Sequence, residues 1–277
     1  GLNHRRGRSS ARLNSGVRFA MKVPSTFYKY RSLAGDGLRF LETLLTRNEI
    51  YLSAPEQFND PFDCSPTFDF SCTLEEAEAL ADRTLARDNV QRTPAELRAA
   101  KERFLAAFPI QNMDDAHDHM RGAHDRAVRD AMGVYSLSAR MDSPLLWSHY
   151  ADSHHGLCIG FNPDAYPFNI AQCVEYSQLR NAVNPFKQDP NQILTNSILQ
   201  KSEDWTYEAE WRIALPTGAR QSISFEDGTI TEIIFGARML QDHKDLVMSW
   251  IKGHQPRYFQ ARISSKTFAI EIDRLQT

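Results

Sequence analysis

Gly156-Leu157-Cys158-Ile159-Gly160-Phe161 reads as a near-continuous apolar strand, the pattern of a strand covered on both faces in the middle of a sheet. Cys158 is then a small buried hydrophobe. Working outward, residues 133–138 form a second strand, and residues 144–151 a short helix between the two. Upstream, 26–31 is an aromatic-rich strand. Residues 37–47 place Leu38, Leu41, Leu44 and Leu45 at helical spacing, and 49–53 is a short strand. Downstream come a strand over 174–176, a helix over 191–201, a strand over 208–215, a strand over 230–235, a helix over 242–250 and a strand over 269–272. Between these two blocks the character changes. Thr73-Leu74-Glu75-Glu76 and Thr93-Pro94-Ala95-Glu96 each carry a capping threonine with acids in the first turn, and two or three helices are expected over 73–132. His117 and His124 would share a face of the last helix as solvated side chains. The fold class is therefore α+β: a mixed, mainly antiparallel sheet domain spanning 21–277, with 73–132 as a helical insertion or cap. A separate small domain over 73–132 is the alternative.

Composition bounds the function without naming it. The 277 residues are 42% hydrophobic, 10% aromatic and 24% charged, with 32 basic against 35 acidic residues and a formal charge of −3. Disordered, collagen-like and generally basic nucleic-acid-binding chains are excluded. Residues 1–20 hold Arg5, Arg6, Arg8, Arg12 and Arg18 and no acid. They are set apart as a basic leader outside the fold. No apolar run approaches the roughly 18 residues of a membrane span, and no signal peptide is legible. Cys64, Cys72, Cys158 and Cys173 form no Cys-x-x-Cys pair, which argues against structural zinc. A cytoplasmic protein without resident metal is the expectation.

Three clusters carry chemistry. In Phe58-Asn59-Asp60-Pro61-Phe62-Asp63, Asn and Asp before Pro favour a turn. That loop is either purely structural or a polar rim in which Asn59, Asp60 or Asp63 meets a ligand. In Leu146-Trp147-Ser148-His149-Tyr150, Trp147 and Tyr150 share a helix face, as core packing or as an aromatic wall for a planar ligand. In the 208–215 strand, Glu208, Glu210 and Arg212 would point to one face, opposite Ala209, Trp211 and Ile213. That face is a solvated charge ladder or, in a cleft, two close carboxylates of differing pKa. There is no Rossmann glycine fingerprint, P-loop or Gly-x-Ser-x-Gly elbow.

Four blocks in a shared order resemble a bacterial family known as domain of unknown function 2971: Phe27-Tyr28-Lys29-Tyr30-Arg31; Phe58 through Asp63; Leu145 through Tyr150 with Gly156 through Phe161; and Trp205 through Arg212. That resemblance implies relatives and no activity. The order of an aromatic first strand, a helix, a short strand, a Ser/Tyr-bearing element and a late Glu-x-Glu strand is also similar to that of ADP-ribosyltransferases. This second resemblance implies NAD as substrate, an unidentified protein or nucleic-acid acceptor, and a setting such as phage defence. Glu210 would be the catalytic glutamate and Glu208 its partner. Tyr28 and Arg31 would contact NAD, Ser138, Trp147 and Tyr150 would line the nicotinamide pocket, and Arg212 would face the same cleft. The competing expectations are a metal-dependent nuclease built on Asp60, Asp63, Glu208 and Glu210, with Lys201 or Arg212 on phosphate, and a non-catalytic binding module.

Overall fold

The computed structural model describes residues 22–276, apart from 89, 108–117, 119, 120 and 252. The basic leader, His117 and His119 lie outside the described residues. Among those described, an eight-stranded sheet organises the chain. Its strands are β1 (Phe27–Arg31), β2 (Gly133–Ser138), β3 (Leu157–Phe161), β4 (Gln172–Cys173), β5 (Glu210–Leu215), β6 (Ile230–Phe235), β7 (Arg257–Ile263) and β8 (Ile270–Arg274). They lie in the order β8-β7-β6-β3-β1-β2-β5-β4. Only β6 and β7 run parallel, joined over the sheet by a helix, α6 (Gln241–Trp250), since a parallel pair needs a crossover. The sheet is thus mixed and mainly antiparallel, as the sequence patterns implied. β3 sits near its middle with every residue buried, which is why it carries no polar alternation.

The two faces of the sheet are separated by side-chain alternation. One face carries Phe27, Leu137, Ile159, Phe161, Trp211, Ile213 and Ile233. It is covered by α1 (Gly37–Arg47), through Leu41, Leu44 and Leu45, and by Val247 of α6. The helix α1 stops at Asn48, which takes a left-handed conformation (φ 56°) that asparagine tolerates. The other face carries Tyr28, Tyr30, Cys158 and Ile234 and receives α4 (Pro144–Tyr150) through Leu146 and Trp147. Ser143 caps α4 and Pro144 opens it.

The expected insertion holds the helices α2 (Leu74–Arg87) and α3 (Pro94–Ala107), and a further helical stretch follows over 121–130. The reciprocal bonds between Thr73 and Glu76 start α2. A small core of Phe68, Phe70, Ala77, Val183 and Phe186 anchors the pair to the rest of the chain. His124 is not solvated as expected. It is buried, within 3.0 Å of Ser197 Oγ and edge-on to Phe68.

Pairing is uneven around β1. On one side β1 is in full register with β3, from Phe27↔Phe161 to Arg31↔Leu157. On the other, only Tyr28↔Ser138 joins it to β2. β2 meanwhile keeps a complete ladder with β5, from Glu210↔Ser138 to Leu215↔Gly133. The sheet therefore splits into two halves that meet at one residue pair. Ser53, after the short strand Glu49–Leu52, takes the far end of the freed β2 edge by exchanging backbone bonds with Val134 (2.9 and 2.8 Å). Between these two attachments the sheet is open.

Candidate functional site

The split is the mouth of a cavity of about 700 Å³, a size typical of small-molecule sites. A side chain of β1 occupies the gap. Lys29 Nζ donates to the Ser136 carbonyl of β2 at 2.6 Å, where a neighbouring strand would otherwise pair, and lies 4.7 Å from the Tyr135 ring centre. Burial and repulsion from Arg31 pull the Lys29 ammonium down to about 7, against the opposing pull of Glu210 and Glu208. Arg31 Nη2 donates to the Tyr135 hydroxyl at 3.2 Å, while its Nε is buried without a hydrogen-bond partner.

A charge cluster adjoins the same cavity. Glu210, first residue of β5, accepts Arg212 Nε on Oε1 (2.7 Å) and both Arg212 Nη2 (2.9 Å) and Lys201 Nζ (3.0 Å) on Oε2. Arg212 turns its two Nη atoms to Asp63 (2.8 and 2.6 Å), a bidentate fork, and donates to the Ile198 carbonyl at 2.6 Å. Glu208 accepts Lys201 Nζ (2.5 Å) and the Tyr150 hydroxyl (2.7 Å). Its own carbonyl accepts the Ser138 hydroxyl at 2.6 Å. Asp63, Glu208 and Glu210 against Lys201 and Arg212 leave one negative charge in excess. Burial alone would raise the Glu210 carboxyl, but Arg212 and Lys201 outweigh it and hold the group well below the usual carboxylate range. Glu208 goes the other way. Burial, reinforced by the charge of Glu210, pushes its carboxyl up in spite of Lys201 and Tyr150. Two neighbouring carboxylates are thus driven apart.

The geometry departs from the simple ladder expected of a 208–215 strand. The strand starts at Glu210, and Glu208 ends a 3₁₀ turn (Glu203–Glu208). Ala209 between them is left-handed (φ 44°), so the two glutamates converge on Lys201 by a turn and not by strand alternation. The helix expected over 191–201 ends early as well. The helix α5 (Pro190–Ile198) gives way to a short strand, Gln200–Ser202, which is what brings Lys201 inward.

Of the residues singled out from sequence, Tyr28, Arg31, Asn59, Ser138, Tyr150, Glu208 and Glu210 line this one cavity. Asp60, Trp147 and Arg212 do not. Asp60 is buried and accepts the Phe62 amide (2.9 Å), closing the turn before Asp63. Trp147 is fully buried, donates to the Met141 carbonyl (2.9 Å) and stands edge-on to Tyr30. Arg212 lies beneath the cavity, wholly consumed by its six bonds, the sixth to Cys64 Sγ, so it fixes Glu210 and is not free for a ligand. Lys29 was missed because a lysine in an aromatic strand reads as its solvent-facing member. Lys201 enters the sequence reading only as part of a metal-dependent nuclease, and Asp63 as part of that nuclease or of the polar rim; both line the cavity. The carboxylates they meet are already satisfied by Lys201 and Arg212. Among the described residues, no group of three or more His, Cys, Asp or Glu could hold a metal ion, and no helix is long and apolar enough to cross a membrane.

No curated protein and no solved structure matches the chain. Residues 146–213 match the model of a family described as a protein of unknown function, DUF2971. The match begins beside His149 and Tyr150 on α4 and ends just after Arg212, so it takes in Lys201, Glu208 and Glu210. Through that segment the chain is similar to the DUF2971 family, whose description assigns no activity.

Proposed function

We propose that the cavity binds NAD and cleaves the bond between nicotinamide and ribose, passing ADP-ribose to an acceptor or to water. The observation that carries this reading is the charge makeup of one cavity, lined by Glu208 and Glu210 together with Lys29 and Arg31. The nicotinamide of NAD is a cationic leaving group and needs no general acid. Heterolysis sends the C–N electron pair to the nicotinamide nitrogen and leaves positive charge on the ribose. What the protein must supply is orientation and fixed negative charge beside the developing cation.

Glu210 suits the second task. Arg212 and Lys201 keep it ionised and lock its position without cancelling the cluster's net negative charge. Glu208, with its carboxyl pushed up, suits a different one: taking the proton that the acceptor loses as it bonds to the ribose carbon. Tyr150 and Ser138 hold Glu208 by its side chain and its carbonyl. Lys29 and Arg31 offer donors for the pyrophosphate.

The test is free nicotinamide from purified protein with NAD, with and without cell lysate, beside Glu210→Gln. The expected result is release by the wild type and a loss of at least about 100-fold in the variant, the scale of losing one fixed electrostatic partner, with NAD binding retained. Release equal in both proteins, or binding without release under either condition, would end the reading.

A further inference from the structure

A second recess, about 530 Å³, opens beside the cavity at the Lys29–Arg31 end, and Arg31, Phe40 and Tyr51 line both. Its walls add Arg39 and Arg47 of α1, two turns apart on one helix face, with Glu42 and Glu49 as the acids. Phe40 and Tyr51 sit as a tilted pair with ring centres 5.6 Å apart, and the Arg39 guanidinium lies 5.6 Å from the Phe40 ring centre.

Three guanidiniums gather around this recess. Among the described residues, Arg31, Arg39 and Arg47 have no carboxylate partner within 4.0 Å, although Glu42 and Glu49 share the recess. The buried, unpartnered Nε of Arg31 stands at the junction of the two spaces. Two guanidiniums without an acid partner, and a third bound only to the Tyr135 hydroxyl, beside an aromatic pair make a place for phosphate next to a planar base.

The geometry points to an adenosine end that carries a phosphate on its ribose, so that the substrate is the 2′-phosphorylated dinucleotide, NADP, in preference to NAD. This deepens the proposed function and rests on it for the orientation of the substrate. A dinucleotide with its nicotinamide ribose at Glu210 runs past Lys29 and Arg31 with its pyrophosphate. Its base then reaches Phe40 and Tyr51. The ribose phosphate is the group that Arg39 and Arg47 are left to meet, since the pyrophosphate is already served by β1.

Calorimetric titration of the full chain with adenosine 2′,5′-bisphosphate and with AMP reads the recess without any cleavage. The expected result is at least tenfold tighter binding of the bisphosphate, falling to near parity in Arg39→Gln/Arg47→Gln. Both side chains are exposed, so the fold survives the change. Equal binding of the two probes by the wild type, or a preference that persists in the double variant, overturns the proposal. Nicotinamide release from NADP and NAD is measured alongside. A bisphosphate preference with no release from either dinucleotide upholds the recess and refutes cleavage. Release from both at one rate, with equal probe binding, upholds cleavage and refutes the phosphate preference.

Discussion

Replacing Arg212 by Met tests the charge cluster most directly. The guanidinium is fully buried and holds two carboxylates, Asp63 through its two Nη atoms and Glu210 through Nε and Nη2. Removing it leaves both acids buried, with Lys201 as the remaining cation, 3.8 Å from Asp63 and 3.0 Å from Glu210. Breaking a buried pair in this way costs about 3–5 kcal/mol, because a charge is stranded. Here two carboxylates lose a partner and one cation must serve three acids, so the upper end of that range applies, about 5 kcal/mol. That is a large part of the ~5–15 kcal/mol by which a typical domain is stable. The cost belongs to stranded charge and not to lost packing. The triple change Asp63→Asn/Glu210→Gln/Arg212→Met should therefore recover about 2–3 kcal/mol of the loss. Urea unfolding followed by tryptophan fluorescence, with midpoints compared at a common slope, measures both. A single variant that loses under about 1 kcal/mol, or a triple variant as unstable as the single one, would refute this account of the cluster.

Two further predictions follow from the same walls. Lys29 releases its proton near 7 in the folded chain and near its ordinary value of 10.5 when unfolded, so between these values the unfolded state binds more protons. Stability should then rise with pH above about 7, by up to about 1.4 kcal/mol per pH unit, and Lys29→Met should flatten the rise. Urea midpoints from pH 6.5 to 9.5 that climb equally in both proteins would contradict it. Tyr150→Phe removes the 2.7 Å bond that favours ionised Glu208. The acid limb of the pH profile for nicotinamide release should move to higher pH, and an unmoved limb would separate Glu208 from the proton transfer.

The sheet was readable in the sequence where burial alone decides the pattern. The apolar run at Leu157–Phe161 and the leucines of α1 have one way to be satisfied, and both fell where periodicity put them. The site was legible only as separate pieces. Nothing in Phe27-Tyr28-Lys29-Tyr30-Arg31 says that β1 will pair fully with β3 and by one residue with β2, because neighbour choice is set by tertiary packing. The role of Lys29 follows from that split, so it was hidden with it. Glu208 and Glu210 were found, but the left-handed Ala209 that joins them leaves no mark in the sequence, alanine being a residue that rarely adopts that conformation. Lys201 was obscured by a helical pattern that runs on past the point where the helix stops. The fate of Trp147 and Arg212 shows the opposite error, since large or charged residues near a site attract functional readings even when burial has used up every polar atom.

The bonds between Asp63 and Arg212 join residues 149 positions apart. Both α2 and α3 lie inside the loop those bonds close, resting on their own small core of Phe68, Phe70, Ala77, Val183 and Phe186. Loop-closure entropy grows only with the logarithm of length, so doubling that stretch would cost about 0.6 kcal/mol, less than one good hydrogen bond. The chain can therefore lengthen, shorten or exchange the helices inside that loop at small thermodynamic expense while the cluster beneath the cavity stays assembled. Sequence divergence should concentrate in those helices, which are free to acquire new surfaces for recognition, while the residues that meet at Lys201 and Arg212 stay tied to one geometry.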